Sequence, residues 1–115
     1  YDAISYSAIR KANEQNFGAA IIPSYDFSKA KTIISLGADF LGTWLMANQY
    51  VQQYGLTRNP DSKWMSKHFQ FESFMSLSGS NADYRGMIKP SEQANVLAYI
   101  LEKGFGSSAV INHSL

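Results

Sequence analysis

Residues 32–36 read Thr-Ile-Ile-Ser-Leu, and Gly37 stops the run. The run is short, β-branched and almost without alternation. Such a segment suits a strand of a parallel sheet covered on both faces. Parallel neighbours need crossover connections, so the rest of the chain must supply helices.

The flanking patterns supply them. Asp2 or Ser5 can cap a first helix, with Ile4, Ala8, Ile9 and Ala12 at helical spacing and Gly18 as its stop. Residues 19–25 (AAIIPSY) read as a short strand broken by Pro23, hence an edge or an irregular segment. Residues 26–30 form a turn with Asp26 as its polar cap. Leu41, Trp44, Leu45, Asn48, Val51 and Gln52 follow a helical period, which predicts a helix over about 43–54, ended by Gly55. A polar loop covers 57–62. Residues 67–72 (KHFQFE) predict a strand with Phe69 and Phe71 on one face, and 84–89 (YRGMIK) predict another. Between them, 76–82 allow one loose helical turn. Pro90 opens a last helix, with Ser91 and Glu92 at its acidic start and Lys103-Gly104 at its end. Residues 107–115 are expected to form a frayed strand or a tail.

This order predicts a single α/β domain: a three-layer, Rossmann-like, mostly parallel sheet with helices on both faces. A length of 115 residues suits one domain that needs no metal or disulfide staple. A formal net charge of +1, with no run of Lys or Arg, gives no reason to expect nucleic acid. With no Cys, the chain itself offers no disulfide, no Cys-held zinc or iron–sulfur cluster and no Cys nucleophile. No apolar run approaches the roughly 20 residues of a membrane-spanning helix. The chain opens at Tyr1 with neither Met nor a signal peptide, and is expected to be a piece of something longer.

In such sheets ligands lie beyond the carboxyl ends of the strands. Three loops fall there: 37–42, 72–78 and 89–93. Gly37 and Gly42 stand five apart (42 − 37), too far for a G-x-G-x-x-G fingerprint, and Asp39 would repel a phosphate. Asp39 can instead cap the helix that follows. Glu72, at a strand end, can bind ribose hydroxyls or serve as a solvated or capping carboxylate. The N–H groups after Pro90 could take an anion, although Glu92 already brings negative charge and favours a plain helix cap. His68 and His113 lack a second ligand at metal spacing and read as structural or exposed. No G-x-S-x-G elbow is present. Trp44, Trp64, Met46, Met65, Met75 and Met87 read as packing. No catalytic constellation follows from the residues alone.

The three loops carry a resemblance. Residues 71–101, FESFMSLSGSNADYRGMIKPSEQANVLAYIL, resemble the passage of molybdopterin oxidoreductases (the dimethyl sulfoxide reductase superfamily) that reads Asp-Pro-Arg, Thr-x-Thr-Ala, Ala-Asp, a strand, Pro-Gly-Thr-Asp and a helix. The spacing from Glu72 to Asp83 (83 − 72 = 11) fits that passage. Upstream, AKTIISLGADFLGTW resembles that family's strand followed by Gly-x-Asn-Pro. The resemblance spans about 26–101. Within the family, YDAISYSAIRKAN, LGADFLGTW and MSKHFQFES are similar to the molybdopterin-like, iron–sulfur subunits of bacterial alternative complex III.

Three departures from the enzymes stand out. Family Asn-Pro becomes Asp39-Phe40, Asp-Pro-Arg becomes Glu72-Ser73-Phe74, and Pro-Gly-Thr-Asp becomes Pro90-Ser91-Glu92-Gln93. A carboxylate beside a phosphate costs on the order of a kcal/mol or more. The resemblance therefore implies a domain that keeps the fold without the cofactor. It implies a structural role, with no catalytic residue, in a subunit of a respiratory quinol-oxidising electron-transfer complex. Iron–sulfur clusters would lie elsewhere in that subunit, other domains and subunits would be the partners, and the complex would be membrane-associated, on the periplasmic side. It also implies an exposed apolar surface where those partners pack. Two alternatives remain open at this point. One is a domain that binds molybdopterin guanine dinucleotide through Gly37, Asp39, Glu72, Ser76, Ser78 and Gln93. The other is an unrelated nucleotide-binding α/β module.

Overall fold

A computed structural model describes residues 4–105. The Asp2 cap, the 107–115 segment and His113 lie outside the described residues. Among the described residues there are four helices and three strands: α1 (Ser7–Phe17), β1 (Thr32–Leu36), α2 (Ala47–Thr57), β2 (Lys67–Glu72), α3 (Leu77–Asn81), β3 (Tyr84–Met87) and α4 (Gln93–Phe105). Single 3-10 turns precede β1 (Phe27–Lys29) and α4 (Pro90–Glu92). The strands form one parallel sheet in the order β1-β2-β3. The fold is thus α/β with a parallel sheet, as the strand and helix patterns predict.

Several boundaries follow local chemistry that periodicity alone does not reveal. The cap position of α1 is Tyr6, not Ser5; the Ser5 hydroxyl, one residue earlier, accepts from the Ser7 N–H at 3.2 Å. Gly18 ends α1 at φ 76°, with its N–H on the Glu14 carbonyl. Residues 19–25 form no strand: among the described residues no strand pairs with them, and Ile21 and Ile22 stay exposed. The helix predicted from Thr43 starts later, at Ala47. The Asp39 carbonyl takes the N–H groups of Gly42, Thr43 and Trp44 in a tight turn, and Leu45 sits at φ 49°, so the regular spiral begins only beyond it. Gly55 does not end α2, which continues to Thr57, where the Thr57 hydroxyl closes onto the Tyr54 carbonyl at 2.9 Å. β3 is shorter than 84–89, although the Ile88 N–H still reaches the Glu72 carbonyl. The loose turn at 76–82 is a capped helix, with the Ser76 hydroxyl accepting from the Gly79 N–H at 3.0 Å.

Phe69 and Phe71 share one side of β2, as the spacing predicts, but the alternation does not tell which side is buried. They are only half-buried, on the side where Phe69 stacks on Tyr84 at 5.0 Å. The fully enclosed side carries His68, Gln70 and Glu72, beside Ile33 and Ser35 of β1. Over that side packs an aromatic core of Ile33, Phe40, Tyr50 and Tyr54, ringed by Phe27, Leu41 and Trp44. Phe27 stacks on Phe40 at 4.7 Å, and Phe40 meets the edge of Tyr54 at 5.9 Å. The opposite side leaves Ile34 49% exposed. Trp44 packs as expected, whereas Met46, Met65, Met75 and Met87 are exposed and Trp64 lies under the Lys31 ammonium. Among the described residues no helix is long and apolar enough to cross a membrane.

Candidate functional site

The six residues expected as dinucleotide contacts under the alternative reading lie at the carboxyl ends of the strands and the start of α4, and they meet in pairs. At the end of β1 the Gly37 N–H bonds the Phe71 carbonyl at 2.8 Å, and its φ of 71° favours glycine. A side chain there would also meet Gln93 at the start of α4, whose Nε2 would lie 2.8 Å from an added Cβ. Gly37 and Gln93 therefore face each other across the loop.

Asp39 turns toward Ser78. Its Oδ1 accepts from the Ser78 N–H at 3.0 Å and from the Ser78 hydroxyl at 2.8 Å. That hydroxyl in turn accepts from the Leu41 N–H at 2.9 Å. The expected cap is real, but on a different helix. Asp39 serves the first turn of α3, not the helix that follows it, because the chain between Asp39 and α2 is closed by the Asp39 carbonyl.

Glu72 is 3% exposed and is neither a solvated carboxylate nor an open ribose ligand. It accepts from the Ser76 N–H at 3.1 Å, the Ser76 hydroxyl at 2.6 Å, Gln70 Nε2 at 3.2 Å and Arg85 Nε at 2.7 Å. Burial pushes its carboxyl up, but the bonds from Ser76, Arg85 and Gln70 outweigh burial and hold it below the ordinary glutamate value. Gly79 crosses directly over this carboxylate, and a methyl group there would collide with it. In the third loop Glu92 curls back to accept from the Lys89 N–H at 2.8 Å, the plain cap that its sequence position favours.

Sequence reasoning missed the polar chain behind this cluster. Tyr54 of α2 touches His68 Nδ1 at 3.2 Å and bonds the Asn81 carbonyl at 3.0 Å. His68 Nε2 meets Gln70 Oε1 at 3.0 Å, and Gln70 Nε2 reaches the Ala38 carbonyl and Glu72. Next to it, Arg58 grips Asp83 with two bonds of 2.7 and 2.9 Å, and Asp83 also takes the His68 N–H. The Arg58 hydrogen bonds are the main reason the Asp83 carboxyl lies below its usual value. The only signal in the sequence is the i, i+2 spacing of His68, Gln70 and Glu72, which puts them on one strand face.

Among the described residues no three His, Asp or Glu side chains converge as a metal site. A scan of the sequence against protein-family models finds no match, and a search of curated proteins finds no similar chain.

Proposed function

We propose that this chain is a cofactor-free structural domain of a subunit of a respiratory quinol-oxidising electron-transfer complex, the role implied by its resemblance to the alternative complex III branch. One observation carries this reading: the polar groups at the carboxyl end of the sheet satisfy one another. Asp39 is bonded to Ser78, and Glu72 to Ser76, Gln70 and Arg85. Phe40, 1% exposed, stands where the enzymes have proline and belongs to the core.

These residues do not fit a phosphate-bearing dinucleotide. An incoming phosphate would meet two carboxylates already at the first turn of α3, and its hydrogen-bond donors would have to be taken from them. Breaking such charge-assisted bonds costs about 1.5–3 kcal/mol each. The exposed apolar side chains Ile34, Leu56, Phe74 and Met87 suit a domain that packs against neighbours.

Molybdenum and pterin analysis of the longer polypeptide tests the reading. No molybdenum above background is expected, and stoichiometric molybdenum would refute it. Calorimetric titration of the chain with nucleotides should give no heat, and micromolar binding would favour a nucleotide-binding module instead.

A further inference from the structure

The buried polar chain is one proton short at His68. The Gln70 amide has one possible orientation. Its nitrogen lies 3.3 Å from the Ala38 carbonyl and 3.2 Å from Glu72 Oε2, and a carbonyl and an ionised carboxylate can only accept. Gln70 Oε1 therefore faces His68 Nε2 at 3.0 Å, and that nitrogen must carry a proton. In a neutral imidazole Nδ1 is then an acceptor. Among the described residues its one hydrogen-bond partner is the Tyr54 hydroxyl, which is also the donor to the Asn81 carbonyl. One hydroxyl proton serves two acceptors. A proton on Nδ1 removes the conflict: Nδ1–H donates to the Tyr54 oxygen, and Tyr54 donates to Asn81.

We propose that His68 is a proton-operated latch, whose uptake of one proton from solvent at Nδ1 commits the Tyr54 hydroxyl to the Asn81 carbonyl and ties α2 and β2 to the end of α3. α3 is the element whose first turn holds Asp39 and whose cap Ser76 holds Glu72, so the latch acts on the loops at the carboxyl end of the sheet.

The groups facing His68 set where this happens. Burial is the largest influence and lowers its pKa. The Gln70 bond raises it, Arg58, just past α2, lowers it, and Asp83, before β3, and Glu72 of β2 raise it. Arg85 of β3 sits on Glu72 rather than on the ring. The net direction is down, so the latch operates below the ordinary histidine value of 6.5. The sign of the global effect is opposite to the local one. A folded pKa below the unfolded one contributes stability that is present above pH 6.5 and is lost as pH falls toward the folded value. Acid thus tightens the link to Asn81 while lowering overall stability. A merely buried histidine would do only the second.

Nuclear magnetic resonance of the isotope-labelled 115-residue chain separates the two. A His113→Gln variant removes the signals of the other imidazole. At pH 7.5 His68 should be the Nε2–H tautomer. On acidification the Asn81 carbonyl carbon and the Ala82 amide nitrogen should shift with the midpoint of the His68 ring. In Tyr54→Phe the ring should still titrate while those two signals stay still. An Nδ1–H tautomer at pH 7.5, or Asn81 signals indifferent to the His68 midpoint, overturns the proposal. Both are read in chains that retain Tyr54, so the outcome stands even if Tyr54→Phe does not fold.

Discussion

Replacing Glu72 by glutamine keeps shape and volume but changes what the site can accept. The carboxylate receives four hydrogen bonds, one of them from the Arg85 guanidinium, and is almost fully enclosed. A glutamine oxygen can replace one side of this pattern. Its NH2 group would then face either Gln70 and the Ser76 hydroxyl or Arg85 and the Ser76 N–H. Each donor left unmatched in a buried place costs about 1–3 kcal/mol, and removing one member of a buried ion pair costs about 3–5 kcal/mol. Arg85 is about a quarter exposed and recovers some water, which sets the expectation for Glu72→Gln near ~3 kcal/mol. For a domain of this size that is on the order of 10 °C in Tm. Urea unfolding followed by circular dichroism measures it. The same variant carries a pH signature. The Glu72 pKa is depressed in the folded state, so its contribution is present above the unfolded value of 4.5 and is lost as pH falls through the folded value. Glu72→Gln should therefore flatten the decline of stability below pH 4.5. A loss under 0.5 kcal/mol with an unchanged acid limb would falsify the claim that this carboxylate anchors the sheet end.

Phe40→Ala empties the centre of the aromatic core and should cost about 3–5 kcal/mol in the same unfolding assay. Gly79→Ala drives a methyl group into the Glu72 carboxylate and should destabilise by about 1–3 kcal/mol, whereas Gly55→Ala, inside α2 with open space around it, should stabilise by about 0.5–1 kcal/mol. Equal effects at the two glycines would contradict the packing described. Asp83→Asn breaks the two-bond grip of Arg58 and weakens the acceptor of the His68 N–H, so unfolding at pH 7 should show a loss of about 1–2 kcal/mol that shrinks toward zero as pH falls below the ordinary aspartate range, where the native Asp83 itself protonates.

Local chemistry made much of the architecture legible from residues alone. The β-branched run 32–36 is β1, Gly18 stops α1 in the left-handed region, and Pro90 with Glu92 opens α4 through a capped turn. Each is settled by a few neighbouring side chains and their backbone preferences. The three loops at the carboxyl end were legible for the same reason, since a parallel sheet leaves its strand ends together. What those loops do was not. Whether Asp39 caps the helix after it or a later one, reached at Ser78, depends on how β1 and α3 approach each other, and the approach put it on Ser78. β2 shows the limit most clearly. The alternation of KHFQFE announces two faces but not which one is enclosed, and hydrophobicity favours the phenylalanines. The tertiary structure encloses His68, Gln70 and Glu72 because Tyr54, Arg85, Ser76 and the Ala38 carbonyl, brought from other elements, add hydrogen-bond partners to those the three groups give one another.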